Sequence, residues 1–125
     1  DATLRFESGL KTIRGDPVRI QQLLENLFRN AIEHGAKSMP AEASLVVTVG
    51  PVKDSIGFYV EDTGTGIPNE YRESVFEHGF STNTDGTGFG LSIVSTIAEA
   101  HGWDITLTES ETGGARFEFR LPSTA

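Results

Sequence analysis

Two asparagines four residues apart, Asn26 and Asn30, lie in the middle of an amphipathic helical run. A carboxamide at the edge of a core can ligate a hard cation through oxygen, and Mg²⁺ takes only one or two protein ligands, with phosphate and water supplying the rest. Asp62 ends a strand-like stretch and is followed by Gly64 and Gly66. A carboxylate fixed beside a tight glycine loop can accept a hydrogen bond from an exocyclic amino group, such as that of adenine. Gly86, Gly88 and Gly90 then lead into an apolar run from Leu91. Glycines let backbone N–H groups approach an anion, and a helix start adds its positive end. Each feature also has a plain structural reading: buried asparagines bonded to neighbouring loops, an Asx-turn at Asp62, and a glycine loop without a ligand.

The common phosphate loops do not fit the segment from Gly86 to Val94. A dinucleotide fingerprint needs glycine at position 91, where Leu91 stands, and a preceding strand, where 77–85 is polar loop. A P-loop needs Gly-Lys-Ser/Thr, and no lysine is near. The protein-kinase glycine loop lies between two strands, whereas this one opens a helix.

The elements that must position these residues follow from pattern. LRFES (4–8) and KTIR (11–14) read as short strands around Gly9. Asp16-Pro17 is a helix start, with Ile20, Leu23, Leu24, Leu27, Phe28 and Ala31 at helical spacing and Gly35 to end it, giving a helix over 17–34. At about 100° per residue, Asn26, Asn30 and Glu33 share one flank of that helix. Residues 36–43 form a loop. LVVTV (45–49) and IGFYVED (56–62) read as strands joined by a turn at 51–55, and 63–69 as a tight loop. A short helix over 70–76, a polar loop over 77–87 and a long helix from Leu91 to about His101-Gly102 come next. ITLTES (105–110) and ARFEFRL (115–121) close the chain as a hairpin. The order predicts an α+β fold: a two-layer sandwich with a mixed, mostly antiparallel sheet and its helices on one face.

The chain has 125 residues, enough for one core, and a net charge of −8. That charge argues against a nucleic-acid binder. Only Lys11, Lys37 and Lys53 are lysines, which fits a salt-loving source or ordinary acidic solubility. There are no cysteines, hence no disulfide or thiolate metal site. No apolar run is long enough to span a bilayer. The chain begins at Asp1, close to a strand, and reads as a piece of a longer protein.

Four segments in order resemble the motifs of one family. NLFRNAIEHG (26–35) is similar to the asparagine box, DTGTGIP (62–68) to the first glycine box, VFEHGFST (75–82) to the phenylalanine box and GTGFGLSIV (86–94) to the second glycine box of the ATP-binding catalytic domain of sensor histidine kinases. The resemblance covers nearly the whole chain and implies the Bergerat ATP-binding fold, with ATP and Mg²⁺ as cofactors. It implies that Asp62 binds the adenine amino group in a pocket shaped by Gly64, Gly66 and Ile67. Asn30 would coordinate Mg²⁺, with Asn26 near the phosphates. Gly86, Gly88, Phe89 and Gly90 would cradle the triphosphate, with Leu91 at the helix start. Phe80, Ser81, Thr82 and Thr87 would belong to the ATP lid, anchored by Phe76 and Phe80, and His34 would stack on or bond the nucleotide.

Hydrolytic relatives place a Glu four residues before the metal-binding Asn, to activate water; here that position is Asn26, which favours phosphoryl transfer. Glu25 is expected to pair with Arg29 instead. Three features depart from the family pattern: Glu33 replaces a common Lys, Ala115-Arg116 stands where a small hydroxyl residue is usual, and the lid is short and lacks a basic cluster. None of His34, His78 and His101 has the context of a phosphoacceptor, so the acceptor histidine is expected on an upstream domain. The implied partners are that domain and a response regulator, with no nucleic acid, in a cytoplasmic setting where the parent is either free or membrane-anchored. The fragment is expected to be monomeric and the full-length protein a homodimer. Two other readings stand beside this one: a serine kinase of the anti-sigma-factor type, and a nucleotide-binding regulatory module without catalysis.

Overall fold

The computed structural model describes residues 2–7, 9, 15–32, 44–53, 56–67, 70, 72, 76 and 91–122. Its elements are β1 (Ala2–Phe6), α1 (Pro17–Asn30), β2 (Leu45–Pro51), β3 (Gly57–Asp62), α2 (Leu91–Ala100), β4 (Asp104–Glu109) and β5 (Ala115–Arg120). The sheet order is β1-β2-β3-β5-β4. β1 runs parallel to β2, and the other three pairings are antiparallel. The α+β sandwich expected from sequence is therefore present, with two helices packed against each other.

Local chemistry accounts for the helix boundaries. Asp16 caps α1, its Oδ1 accepting from the N–H groups of Val18 (3.0 Å) and Arg19 (3.4 Å), with Pro17 at the first position. α2 ends in a Schellman turn: Gly102 N–H donates to Glu99 O (3.0 Å) and Trp103 N–H to Ala98 O (2.9 Å), with Gly102 at φ 74°.

The core fills the space between the layers. Leu23 and Leu27 come from α1, Ala31 is its C-cap, and Leu91, Val94, Ile97 and Ala98 come from α2. They meet Val47, Val49, Phe58, Val60, Phe117 and Phe119 of the sheet. Phe58 stacks on Phe119 at 4.8 Å, and Trp103 stands edge-on to Phe58 at 5.9 Å. Phe76 packs edge-on against Phe117 at 6.3 Å. Phe76 is thus packed against the core.

Four details differ from the sequence reading. β1 covers 2–6 rather than 4–8, and its partner is β2; the second short strand at 11–14 lies outside the described residues. β2 continues through Pro51, which pairs with Phe58 at the end of the strand, where a missing N–H costs least. Glu25 does not pair with Arg29: it accepts from Gln21 Nε2 (3.1 Å), while Arg29 donates to Asn26 Oδ1 (3.3 Å). His101 does more than end a helix. Its Nδ1 donates to Ile97 O (2.8 Å), leaving Nε2 to accept from Asp16 N–H (3.0 Å), so it ties the end of α2 to the cap of α1. Its ring lies 4.7 Å from that of Trp103. His101→Ala is expected to cost about 1–2 kcal/mol, from a lost hydrogen bond and lost ring packing, read as a lower urea midpoint with unchanged slope.

Candidate functional site

Strand parity decides where the carboxylate goes. In β3, Phe58, Val60 and Asp62 face the helices, while Tyr59 and Glu61 face the opposite side. Asp62 therefore enters the buried layer as the last residue of its strand, 5% exposed. Its Oδ1 accepts from Gly64 N–H (2.8 Å) and Ala115 N–H (3.3 Å). Among the described residues nothing bonds its Oδ2. The Asx-turn reading and the ligand reading thus coexist: one oxygen shapes the loop and the other remains able to accept. Burial pushes the Asp62 carboxyl above the usual carboxylate range, opposed by the two N–H groups and aided by Glu61.

The loop after Asp62 is fixed on both sides. Toward β2, Thr63 N–H donates to Val46 O (3.1 Å) and its hydroxyl accepts from Val46 N–H (2.9 Å). Toward β5, the turn between β4 and β5 lies directly against the site. A Cβ on Gly114 would fall 2.6 Å from Asp62 Oδ1, and one on Gly66, at φ 78°, would strike the Gly113 carbonyl. Only glycine fits at these two contacts. Buried Ser110 donates to Asp62 O (3.1 Å) and accepts from Gly114 N–H (2.9 Å). Ile67 is buried, and its carbonyl accepts from Arg72 Nε (3.2 Å).

The two asparagines, alike in sequence, differ in satisfaction. Asn26 is buried, but its Nδ2 donates to Gln22 O (3.0 Å) and its Oδ1 accepts from Arg29. Asn30 is 4% exposed, and its Oδ1 is a buried oxygen with no hydrogen-bond partner. Such an orphan fits a hard cation that seeks oxygen ligands. The described residues hold no group of three or more His, Asp or Glu that could cage a metal, so a cation here would draw its other ligands from elsewhere.

Leu91 is the first residue of α2 and is buried in the core. Ala115 also faces the core, and it contributes backbone rather than a side-chain hydroxyl. Arg116 turns to the far side of the sheet, where it pairs with Glu61 (2.8 Å) and Glu118 (2.7 Å) and lies 3.9 Å over the Tyr59 ring. It takes no part in the site. His34, Phe80, Ser81, Thr82, Gly86, Thr87, Gly88, Phe89 and Gly90, together with Glu33, lie outside the described residues. Sequence reasoning missed Ser110 and the role of Gly113-Gly114, reading only a hairpin turn; the signal was the second glycine, at which a Cβ would meet Asp62.

The fold thus brings together a glycine-bounded carboxylate at a strand end and, on the facing helix layer, a carboxamide with an orphaned buried oxygen. The chain belongs to the histidine kinase-, DNA gyrase B-, and HSP90-like ATPase family, whose profile matches residues 15–125. It is 43% identical over 123 residues to the sensor protein FixL of Bradyrhizobium diazoefficiens, covering 96% of this chain and 24% of FixL. It is 38% identical over 125 residues to the sensor histidine kinase ZraS of Escherichia coli O157:H7, covering 95% of this chain and 26% of ZraS. The chain thus spans about a quarter of the length of these curated relatives. Among solved structures, the catalytic domain of histidine kinase ThkA superposes with a TM-score of 0.73 at 33% identity, covering 98% of this chain and 78% of that one. Full-length ShkA in complex with AMPPNP gives 0.72 at 31% identity, covering 100% of this chain and 26% of that one. No described helix is long and apolar enough to cross a membrane.

Proposed function

We propose that this domain binds Mg·ATP and presents the γ-phosphate to a histidine on a separate phosphoacceptor domain, in two-component signalling. The observation that carries this reading is the side chain at position 26. One turn before Asn30 stands a carboxamide, bonded at both ends to its own helix. A carboxamide is no base, and the adjacent Glu25 is engaged by Gln21. Hydrolysis therefore lacks its general base on this helix, and a nucleophile supplied from outside fits better. In the transfer, the bond from γ-phosphorus to the β–γ bridging oxygen breaks, a bond to imidazole nitrogen forms, and ADP leaves.

Within this reading, Asp62 accepts a hydrogen bond from the adenine amino group, in a pocket bounded by Gly64, Gly66 and Ile67. Asn30 Oδ1 would hold Mg²⁺, which when bound neutralises phosphate charge. Gly86, Gly88, Phe89 and Gly90 cradle the triphosphate ahead of Leu91, with Phe80, Ser81, Thr82 and Thr87 in the lid and His34 beside the nucleotide. Catalysis is then positioning and electrostatic stabilisation. The whole protein acts in the cytoplasm as a homodimer and passes the phosphoryl group to a response regulator.

The test joins this domain to its acceptor domain with radiolabelled ATP. Label that is acid-labile and base-stable is expected. Acid-stable label on serine would instead support a serine kinase, and nucleotide binding without any transfer would support a regulatory module.

A further inference from the structure

We infer that Ser110 is a positioning residue for recognition of the nucleotide base, acting through Asp62. The inference rests on Asp62 as the base acceptor. Ser110 directly follows β4 and is 6% exposed. Its hydroxyl has one proton to donate and two lone pairs. The proton goes to Asp62 O at 3.1 Å. The lone pairs face Gly114 N–H at 2.9 Å and Thr112 Oγ1 at 3.1 Å, so the Thr112 hydroxyl is the donor in that contact. Every valence of the hydroxyl is in use, and the bond to Asp62 spans 48 positions of sequence.

The geometry explains why this matters to the carboxylate. Asp62 Oδ1 is held by one short bond, from Gly64, and one long bond, from Ala115 at 3.3 Å. The Ala115 N–H is delivered by the backbone of the turn, and the turn is placed by Ser110. Ser110 N–H donates to Gly114 O (2.8 Å) and Gly113 N–H to Ser110 O (2.9 Å), so the loop closes on Ser110 in both directions. Gly114 then lies in contact with Asp62, and Gly113 with Gly66. Without the hydroxyl, Asp62 O and Gly114 N–H lose their shared partner. The turn can then move away from β3, and the carboxylate loses the second donor that orients it.

The experiment measures the affinity of this domain for ATP and for inosine triphosphate, which carries a carbonyl where adenine carries its amino group. Titration calorimetry on the parent, Ser110→Ala, Ser110→Thr and Asp62→Asn provides the four ratios. Ser110→Ala is expected to narrow the preference for ATP by about tenfold, through weaker ATP binding with inosine triphosphate little changed. Ser110→Thr, which keeps the hydroxyl, is expected to restore it. Equal weakening of both nucleotides, or an unchanged ratio, would overturn the role of Ser110. Should Ser110→Ala be too unstable to titrate, Ser110→Cys is the second variant; a folded Ser110→Cys with full preference for ATP would overturn the role equally. If Asp62→Asn removes the preference and Ser110→Ala does not, Ser110 alone is refuted. If Asp62→Asn itself leaves the preference intact, the base-acceptor reading falls, and the inference with it.

Discussion

Asp62→Asn is expected to weaken ATP binding by about 100-fold or more while leaving the domain at least as stable at pH 7. The two effects have separate causes. An asparagine can keep its oxygen toward the N–H groups of Gly64 and Ala115, as Asp62 Oδ1 does now. Its amide nitrogen then replaces Oδ2 and meets the adenine amino group donor to donor. A charge-assisted hydrogen bond contributes about 1.5–3 kcal/mol, and two opposed donors add the cost of unpaired polar groups; each 1.4 kcal/mol is tenfold in affinity. Stability moves the other way because burial raises the Asp62 pKa in the folded state. A carboxylate with a raised folded value binds its proton more tightly folded than unfolded, so ionisation costs stability. That cost is complete above the raised value and vanishes below the ordinary aspartate range. The asparagine variant should therefore melt at or above the parent temperature at pH 7, with the difference closing as the solution is acidified. ATP affinity of the parent should meanwhile fall as pH drops toward the raised value, before ordinary aspartates titrate. Calorimetric titration and thermal melts from neutral pH down through the ordinary aspartate range check both. Unchanged affinity in the variant would end the adenine assignment.

What was legible in the sequence was local, and what was not depended on partners far along the chain. The Asp16-Pro17 cap and the spacing of Leu23, Leu27 and Ala31 specify α1 without reference to anything else. Alternation in ARFEFR specifies a strand and puts Phe117 and Phe119 inside. The same parity places Asp62 on the buried face and Arg116 on the far one, so Arg116 could have been excluded from the site by counting alone. Strand partners are another matter. Nothing within ATLRF says that it runs parallel to a strand more than 40 residues later. Ser110 illustrates the limit most clearly: a serine after a strand is ordinary, and only the fold brings it to Asp62. The asparagine pair shows the converse. Spacing put Asn26 and Asn30 on one flank, but which of them stays unsatisfied depends on the reach of Arg29, and a helical i, i+4 rule assigned Arg29 to Glu25 instead.

Asn30→Ala is expected to abolish the dependence of nucleotide binding on Mg²⁺ and to lower phosphotransfer about 100-fold or more, without destabilising the free domain. Buried polar groups in native proteins are paired in roughly nine cases of ten, and an unpaired one costs about 1–3 kcal/mol. The helix itself could have satisfied a carboxamide here, because it does so for Asn26 through Gln22 O and Arg29. Asn30 is left with a bare Oδ1 one turn later. Removing it takes away that cost and adds the better helix propensity of alanine, about 0.5–0.7 kcal/mol, against a small loss of packing. The free variant should thus unfold at the same or a higher urea midpoint. A structural asparagine would behave oppositely, with a drop of 1 kcal/mol or more and Mg²⁺ dependence intact. Titrating ATP with and without Mg²⁺ against parent and variant separates the two without reliance on turnover. The parent should bind more tightly with the cation, and the variant should bind equally either way. Loss of stability together with retained Mg²⁺ dependence would assign Asn30 to the core and leave the cation to be held by other residues.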